Sequence, residues 1–186
     1  TKKFEFIKNR DKYINVGSRA VINHRDLLEK IAQFGEQQKG ATLYGSGQAT
    51  TLCITRGNTH QHVLQAIELL ELKAEIDVLN VVTVFPIPKT ILAQYIQNRS
   101  RILFFEDQDG FLENQTKMEL FHLLKCEVHG KDMVPAFGEI TVGQTTKILA
   151  EFMGVPFQSQ ALEAVEVPER LGTFCEGCPH TSSYFA

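Results

Sequence analysis

The chain has 186 residues, of which 43% are hydrophobic and 22% are charged, and its formal net charge is -3. This composition is typical of a globular protein with a core, and it argues against extensive disorder and against a nucleic-acid-binding domain, which would carry a strong surplus of basic residues. Because no apolar run approaches the ~20 residues that span a bilayer and no secretory apolar segment is present near residue 1, we expect a cytoplasmic protein without a membrane partner.

The first predicted element is an amphipathic helix over residues 23–38, NHRDLLEKIAQFGEQQ. Large apolar residues recur there at helical spacing, and Asn23 is placed to cap the amino terminus of the helix. Two β-rich stretches follow, separated by the glycines of YGSGQ at residues 44–48. We expect the second stretch, residues 51–55, to be a buried strand.

From this strand onward, predicted strands alternate with predicted helices. The stretch 76–85, IDVLNVVTVF, is almost continuously apolar, which is typical of a strand covered on both faces in a parallel sheet. Further strands are expected in RILFFE at 101–106 and CEVHG at 126–130, and a last helix ends at Gly154. This alternation predicts the α/β class, a three-layer α/β/α sandwich around a mostly parallel sheet of four or five strands.

The turn TRGNTH at residues 55–60 is a candidate phosphate-binding turn. Gly57 beside Arg56 and a helix amino terminus would let backbone amides meet an anion. One glycine does not make a G-x-G-x-x-G motif, however, and strand-to-helix turns use Gly and Asn to turn and cap, so we favour a structural role. His60 and His62 are two residues apart and lie on different helix faces, which argues against a metal pair and predicts solvated or capping histidines.

A second candidate is the acidic turn EDQDG at residues 106–110. Its carboxylates suggest a cation loop, but the turn lacks the residue order of an EF-hand. Because ligands and partners gather at the carboxyl ends of strands in open α/β sheets, Glu106, Asp107 and Asp109 are placed to face a neighbouring domain. A solvated loop is the default interpretation.

The motif CEGCPH near the end of the chain is the third candidate. Thiolates at C-x-x-C spacing, here Cys175 and Cys178, converge on one metal ion or cluster, but a complete site needs two more ligands. His180 is placed to supply one, whereas Cys53 and Cys126 lie in apolar strand contexts typical of core residues. A thioredoxin-type redox pair would need a βαβ context that the surrounding residues do not provide. The residues alone therefore define half of a site.

With these motifs in view, the chain resembles, over essentially its whole length, the alpha subunit of indolepyruvate ferredoxin oxidoreductase, a thiamine diphosphate-dependent 2-oxoacid oxidoreductase. The stretches CITRGNTHQHVLQAIELL, VVTVFPIPKTIL and RILFFEDQDGFLENQ are similar to the family's middle domain, which is like the C-terminal domain of transketolase. The resemblance implies three parts: residues 1–44 lead out of a pyrimidine-binding domain, 45–157 form the transketolase C-terminal-like domain, and 158–186 link to the start of a diphosphate-binding domain.

The resemblance also implies the chemistry of a whole enzyme, of which we expect this chain to be a middle-domain fragment that is inactive alone. Such an enzyme decarboxylates aryl 2-oxoacids with coenzyme A and passes electrons to ferredoxin, using thiamine diphosphate with magnesium and [4Fe-4S] clusters, none of which is expected on the fragment itself. Its partners would be the other domains of the subunit, a beta subunit, ferredoxin and coenzyme A. The family motif maps onto cofactor-binding candidates Cys175, Gly177, Cys178, Pro179 and His180, with Cys175 and Cys178 also as candidate metal ligands.

Two alternatives stay open from the sequence. One is a free-standing interaction module with a structural metal site at Cys175 and Cys178. The other is a piece of a different thiamine diphosphate enzyme, against which the C-x-x-C-P-H motif argues, because transketolases and branched-chain dehydrogenase beta subunits end near their transketolase-like domain.

Overall fold

The structure is a computed structural model that describes residues 5–37, 40–158 and 172–185. A five-stranded sheet with the strand order β1-β3-β2-β4-β5 forms its centre. The strands are β1 (Ala41–Tyr44), β2 (Thr51–Thr55), β3 (Ile76–Val81), β4 (Arg101–Phe105) and β5 (Glu127–His129), and the helices are α1 (Arg10–Tyr13), α2 (Ser18–Gln37), α3 (Thr59–Leu69), α4 (Lys89–Ile96), α5 (Phe111–Leu120), α6 (Val142–Met153) and α7 (His180–Tyr184).

Strands β2 to β5 run parallel to one another, and only the edge strand β1 is antiparallel to its neighbour β3. The register places Cys53 of β2 opposite Val78 of β3 and Leu103 of β4. Every residue of β2 is buried, as expected for the central strand of a sheet covered on both faces. The prediction of a mostly parallel sheet is therefore confirmed.

Two hydrophobic clusters, one on each face of the sheet, form the core. On one face Cys53 and Phe105 pack with α3 and α6, and on the other Leu52 and Phe104 pack with α4 and α5. The alternation follows from the two-residue period of a strand, since neighbouring side chains point to opposite faces. This arrangement is the predicted three-layer α/β/α sandwich. Burial also raises the pKa of the Cys53 thiol to about 12, as befits a core cysteine.

The last helix of the sandwich, α6, ends where its sequence predicts, and a capping box fixes its start. Thr141 and Gln144 form a reciprocal capping box at its start, and Gly154 ends it in the left-handed conformation at φ 70°. Ile148, Leu149 and Phe152 are buried against the sheet. The cap and the apolar face together fix where this helix lies.

Helix α2 differs from its prediction at the amino end. It begins at Ser18, so Asn23 lies inside the helix and does not cap it; its side-chain amide instead donates to Asn15 Oδ1 at 2.5 Å. The predicted apolar residues do lie on this helix, but they are not covered: Leu27, Leu28 and Phe34 are each more than half exposed. None of the helices among the described residues is long and apolar enough to cross a membrane.

Hydrogen bonds join the loop YGSGQ to a buried ion pair at the amino edge of the sheet. Asp77 of β3 and Arg99, just before β4, lie 2.6 Å apart, and their side chains are 1% and 5% exposed. The Asp77 carboxylate also accepts hydrogen bonds from Gly47 N at 3.0 Å and Ala49 N at 3.2 Å. Gly45 has φ 121° and lies so close to Asp77 that a Cβ would clash with the carboxylate, which explains the glycine at this position.

Candidate functional site

The carboxyl end of the sheet holds the first candidate site. Strand β3, which follows β2 in the chain, lies on one side of β2, and β4 lies on the other, so the chain reverses direction across the sheet between β2 and β4. Ligands of open α/β sheets bind outside the carboxyl ends of strands at such a reversal. Here it is flanked by Arg56, directly after β2, and Glu106, directly after β4.

Glu106 is fully buried and joins the two strand ends. Its Oε2 lies 2.9 Å from Arg56 Nε, but that N–H is not aligned for a hydrogen bond, so the contact is an ion pair. The two carboxylate oxygens accept hydrogen bonds from Leu112 N at 2.8 Å and Glu113 N at 2.9 Å, in the first turn of α5. A carboxylate at a helix amino terminus is favoured by the exposed N–H groups and by the helix dipole.

A second carboxylate extends this network toward β5. Glu113 is buried, pairs with Lys117 at 2.6 Å and accepts a hydrogen bond from Lys131 N at 2.9 Å. Lys131 Nζ donates to the backbone oxygens of Glu106 and Pro135. Burial lowers the pKa of Lys131, while the carboxylates nearby, Glu106 foremost, act in the opposite direction. The predicted solvated acidic loop is thus wrong for Glu106, whose buried charge fixes the strand ends in place.

A side-chain hydrogen bond ties the turn TRGNTH to the end of β4. Thr59 Oγ1 bonds to the backbone oxygens of Arg56 at 2.7 Å and Phe105 at 2.9 Å, and Gly57 adopts φ 61°. The Asn58 side chain makes no capping hydrogen bond. These contacts support the structural role that the sequence favours for this turn.

His60 is not solvated, so that prediction is wrong. It is 3% exposed, its Nδ1 lies 3.2 Å from Thr55 Oγ1, and its ring lies 4.6 Å from the Tyr44 ring between centroids. Burial lowers the pKa of His60, which favours the neutral imidazole. It is a core histidine of the α3 face.

His129, beside the same edge, is held between two carboxylates. Its Nε2 lies 2.9 Å from Glu127 Oε1, and its Nδ1 bonds to Asp132. The hydrogen bond with Asp132 is the main cause that raises the pKa of His129. Because the two carboxylates hold opposite sides of the ring, they do not converge on one metal position.

The charged side chains of this edge bond to partners within the described residues. They are Glu106, Glu113, Lys131 and His129. These contacts tie the ends of β4 and β5 to α5 and brace this edge of the sheet. An open crevice over this edge is lined by Arg56, Val84, Phe85, Gln108, Asp109 and Phe111. Phe85 and Phe111 are 59% and 39% exposed there, so the face is apolar as well as charged.

The C-x-x-C motif forms a tight turn of its own. Cys178 N donates to Cys175 O at 3.0 Å, and Gly177 sits between them at φ 75°, the conformation that the third position of a type II turn requires. Cys178 Sγ lies 3.4 Å from His180 Nδ1, at the start of α7. The rings of Phe174 and Tyr184 pack at 5.1 Å across the turn.

This turn offers two thiolates and an accessible backbone, which is less than a complete metal site. A Cβ at Gly177 would meet nothing within 4 Å, so the backbone there is open to approach. Across residues 5–37, 40–158 and 172–185, no three His, Cys, Asp or Glu side chains are grouped to hold a metal ion. A tetrahedral metal at Cys175 and Cys178 would need two ligands beyond these two.

The fold and these two sites define the class of the protein: an α/β domain with a structural charge network at its carboxyl edge and a cysteine-bearing turn. In fold it is similar to 2-oxoglutarate:ferredoxin oxidoreductase from Magnetococcus marinus, with a TM-score of 0.56, 15% sequence identity, and coverage of 73% of this chain and 23% of that chain. No family model matches the chain.

In sequence, the chain is homologous to indolepyruvate oxidoreductase subunit IorA of several archaea. It is 29% identical to IorA of Pyrococcus abyssi over 194 residues, covering 98% of this chain and 30% of the relative. The IorA of Thermococcus kodakarensis is 27% identical, with the same coverage of both chains. The resemblance stated from the sequence is thereby confirmed, and the chain spans about 30% of the length of these relatives.

The sequence analysis did not anticipate the buried ion pair of Asp77 with Arg99 or the contacts of Lys131. One signal was present, since Asp77 interrupts an otherwise apolar buried strand and a buried carboxylate needs a partner. Neither Arg99 nor Lys131 carries a signal of its own, because their partners come from distant parts of the chain.

Proposed function

We propose that this chain forms the middle domain of the alpha subunit of a thiamine diphosphate-dependent 2-oxoacid ferredoxin oxidoreductase of the indolepyruvate type. The similarity to IorA over 98% of the chain carries the proposal. Residues 45–157, together with the edge strand β1 that pairs with β3, are the transketolase C-terminal-like domain in this assignment. The rest of residues 1–44 leads from a pyrimidine-binding domain, and 158–186 lead to a diphosphate-binding domain; residues 1–4, 38–39, 159–171 and 186 lie outside the described residues.

The domain's work in this proposal is scaffolding. The carboxylates of Glu106 and Glu113 at the carboxyl edge are held by partners within the domain, which suits a rigid spacer. The half-exposed face of α2 and the exposed rings of Phe85 and Phe111 are apolar surfaces of the kind that neighbouring domains cover. The whole enzyme would decarboxylate an aryl 2-oxoacid in the cytoplasm, with a beta subunit, ferredoxin and coenzyme A as partners.

The turn at Cys175 and Cys178 would lie at the mouth of the thiamine diphosphate site. Gly177 would allow close backbone approach, Pro179 would fix the start of α7, and His180 would offer a polar contact to cofactor or substrate. Thiamine diphosphate supplies the carbanion chemistry when bound, and metal and diphosphate would be held by residues of the adjoining domain.

The metal content of the purified chain tests this proposal against the alternative of a metal-binding module. After anaerobic purification, we expect iron and zinc well below one equivalent, because the turn offers two thiolates only. A Cys175→Ala, Cys178→Ala double variant should have the same metal content, and Cys126→Ala serves as the matched control. One equivalent of metal that is lost in the double variant would favour the module and contradict the scaffold assignment.

A further inference from the structure

His129 has a carboxylate at each of its two ring nitrogens. Its Nε2 lies 2.9 Å from Glu127 Oε1, and its Nδ1 bonds to Asp132 Oδ2. An ionised carboxylate only accepts hydrogen bonds, so each ring nitrogen must supply an N–H, and a neutral imidazole has one N–H whereas an imidazolium has two. These three side chains, which we call the His129 clamp, therefore make both of their hydrogen bonds only when His129 is protonated.

The His129 clamp joins the edge strand β5 to β4 and to α6. The second oxygen of Glu127, Oε2, accepts a hydrogen bond from Arg101 Nε of β4 at 3.2 Å. Arg101 Cζ lies 4.1 Å from the centre of the Phe152 ring, and the guanidinium donates to Phe152 O near the end of α6. The His129 ring meets the same Phe152 ring edge-on, at 5.8 Å between centroids. Protonation of His129 thus acts on the contacts that β5 makes with both neighbours.

Asp132 extends the His129 clamp into the turn that follows β5. Its second oxygen, Oδ1, accepts a hydrogen bond from Gly130 N at 2.7 Å. In the same turn, Lys131 N donates to Glu113 Oε2 at 2.9 Å, and Lys131 Nζ donates to Glu106 O. The clamp therefore fixes the turn that carries Lys131 to the carboxyl edge of the sheet.

We propose that the His129 clamp is a pH-sensitive device, which holds β5 and the turn after it against the sheet when His129 is protonated and loosens them when it is neutral. The charged groups that face the ring are Glu127 and Asp132, with Arg101 behind Glu127, and α6 contributes the uncharged Phe152 ring. Two carboxylates against one guanidinium favour the imidazolium. This inference concerns the stability of the domain itself and does not depend on the proposed function.

The direction of the pH dependence follows from the pKa shifts of the groups involved. The hydrogen bond with Asp132 is the main cause that raises the pKa of His129. The clamp therefore contributes fully below about pH 6.5, the ordinary pKa of histidine, and its contribution is lost as the pH rises through the raised pKa. The pKa values of Glu127 and Asp132 are lowered, so these carboxylates lose their contribution only in acid, below about pH 4. Burial lowers the pKa of His60, so its contribution is lost on the other side of the window, as the pH falls below about 6.5.

Urea unfolding of the whole chain between about pH 6.5 and about pH 8.5 tests the proposal, because this range begins at the ordinary pKa of histidine. We expect the unfolding constant of wild type to rise several-fold more over this range than that of His129→Gln, whose side chain does not titrate. Asp132→Asn keeps an acceptor for Gly130 N but removes one carboxylate, so it should reduce the rise. His122→Gln is the matched control: His122 is exposed and forms no hydrogen bond or ion pair with the described residues, so this variant should behave as wild type.

Two measurements on wild type keep the test independent of how the variants fold. The imidazole pKa of His129, followed by NMR, should exceed about 6.5 in the folded chain and return toward that value in urea. Hydrogen exchange should show that the amide protection factors of residues 127–134 fall with pH relative to those of the buried central strand β2 (Thr51–Thr55). A folded-state pKa of His129 at or below about 6.5, equal pH dependence in wild type and His129→Gln, or equal changes in protection at β5 and β2 would each overturn the proposal.

Discussion

Replacing Asp77 by alanine should destabilise the fold by about 3–5 kcal/mol, the range found when one partner of a buried ion pair is removed. Arg99 would be left as an uncompensated charge with a 5% exposed side chain. The backbone N–H groups of Gly47 and Ala49 would lose their acceptor at the same time. Urea unfolding of the variant and wild type measures the difference directly.

The matched control is Lys73→Ala, four residues away. Lys73 pairs with Glu68 at 2.9 Å, but both side chains are about 70% exposed. Exposed pairs contribute about 0–1 kcal/mol, so this variant should unfold nearly as wild type does. Similar losses in the two variants, or a loss below about 1 kcal/mol in Asp77→Ala, would show that the buried pair does not hold the amino edge of the sheet.

The second large effect is expected at the opposite edge, where Glu106→Ala should cost about 3 kcal/mol. This change leaves the N–H groups of Leu112 and Glu113 without an acceptor and the Arg56 guanidinium without its counter-charge. We place the loss at the low end of the range because the Arg56 side chain is 33% exposed and water solvates it in part. Glu106→Gln, which keeps one acceptor oxygen, should lose less.

Asp109→Ala is the control for this edge, since Asp109 lies in the same turn but is exposed, and its carboxylate accepts no hydrogen bond from the part of the chain that the structure describes. Surface substitutions of this kind change stability by about 0.5 kcal/mol or less. If thermal unfolding midpoints of Glu106→Ala and Asp109→Ala were lowered equally, the difference between the two carboxylates that burial implies would be absent.

Local sequence patterns predict the strands and helices of this fold, but they do not predict the buried charged contacts that join them. The near-continuous apolar run beginning at Ile76 predicts a strand covered on both faces, and that is where it lies. The capping of α6 is likewise local, because Thr141 and Gln144 are three residues apart. Burial of Glu106, in contrast, depends on Arg56 and on α5, which are far apart in the chain, so spacing alone predicts a solvated loop.

Two further differences have the same physical origin. His60 follows a turn and looks solvated in sequence, but Tyr44 from the antiparallel edge strand covers it. Asn23 looks like a helix cap, yet α2 continues upstream to Ser18, where helix propensity outweighs the capping preference. The candidate turn at Cys175 could be found from the motif, whereas the His180 contact needed coordinates.

The scaffold assignment is tested most directly by domain exchange in IorA of Pyrococcus abyssi. This chain would replace the segment it matches, and the hybrid would be expressed with the other subunit of that oxidoreductase. Oxidation of indolepyruvate would be measured with coenzyme A and ferredoxin, the co-substrate and electron acceptor of the proposed function. An unrelated α/β domain of equal length in the same position is the control. We predict measurable oxidation by the hybrid and none by the control; a folded, assembled hybrid that is as inactive as the control would contradict the assignment.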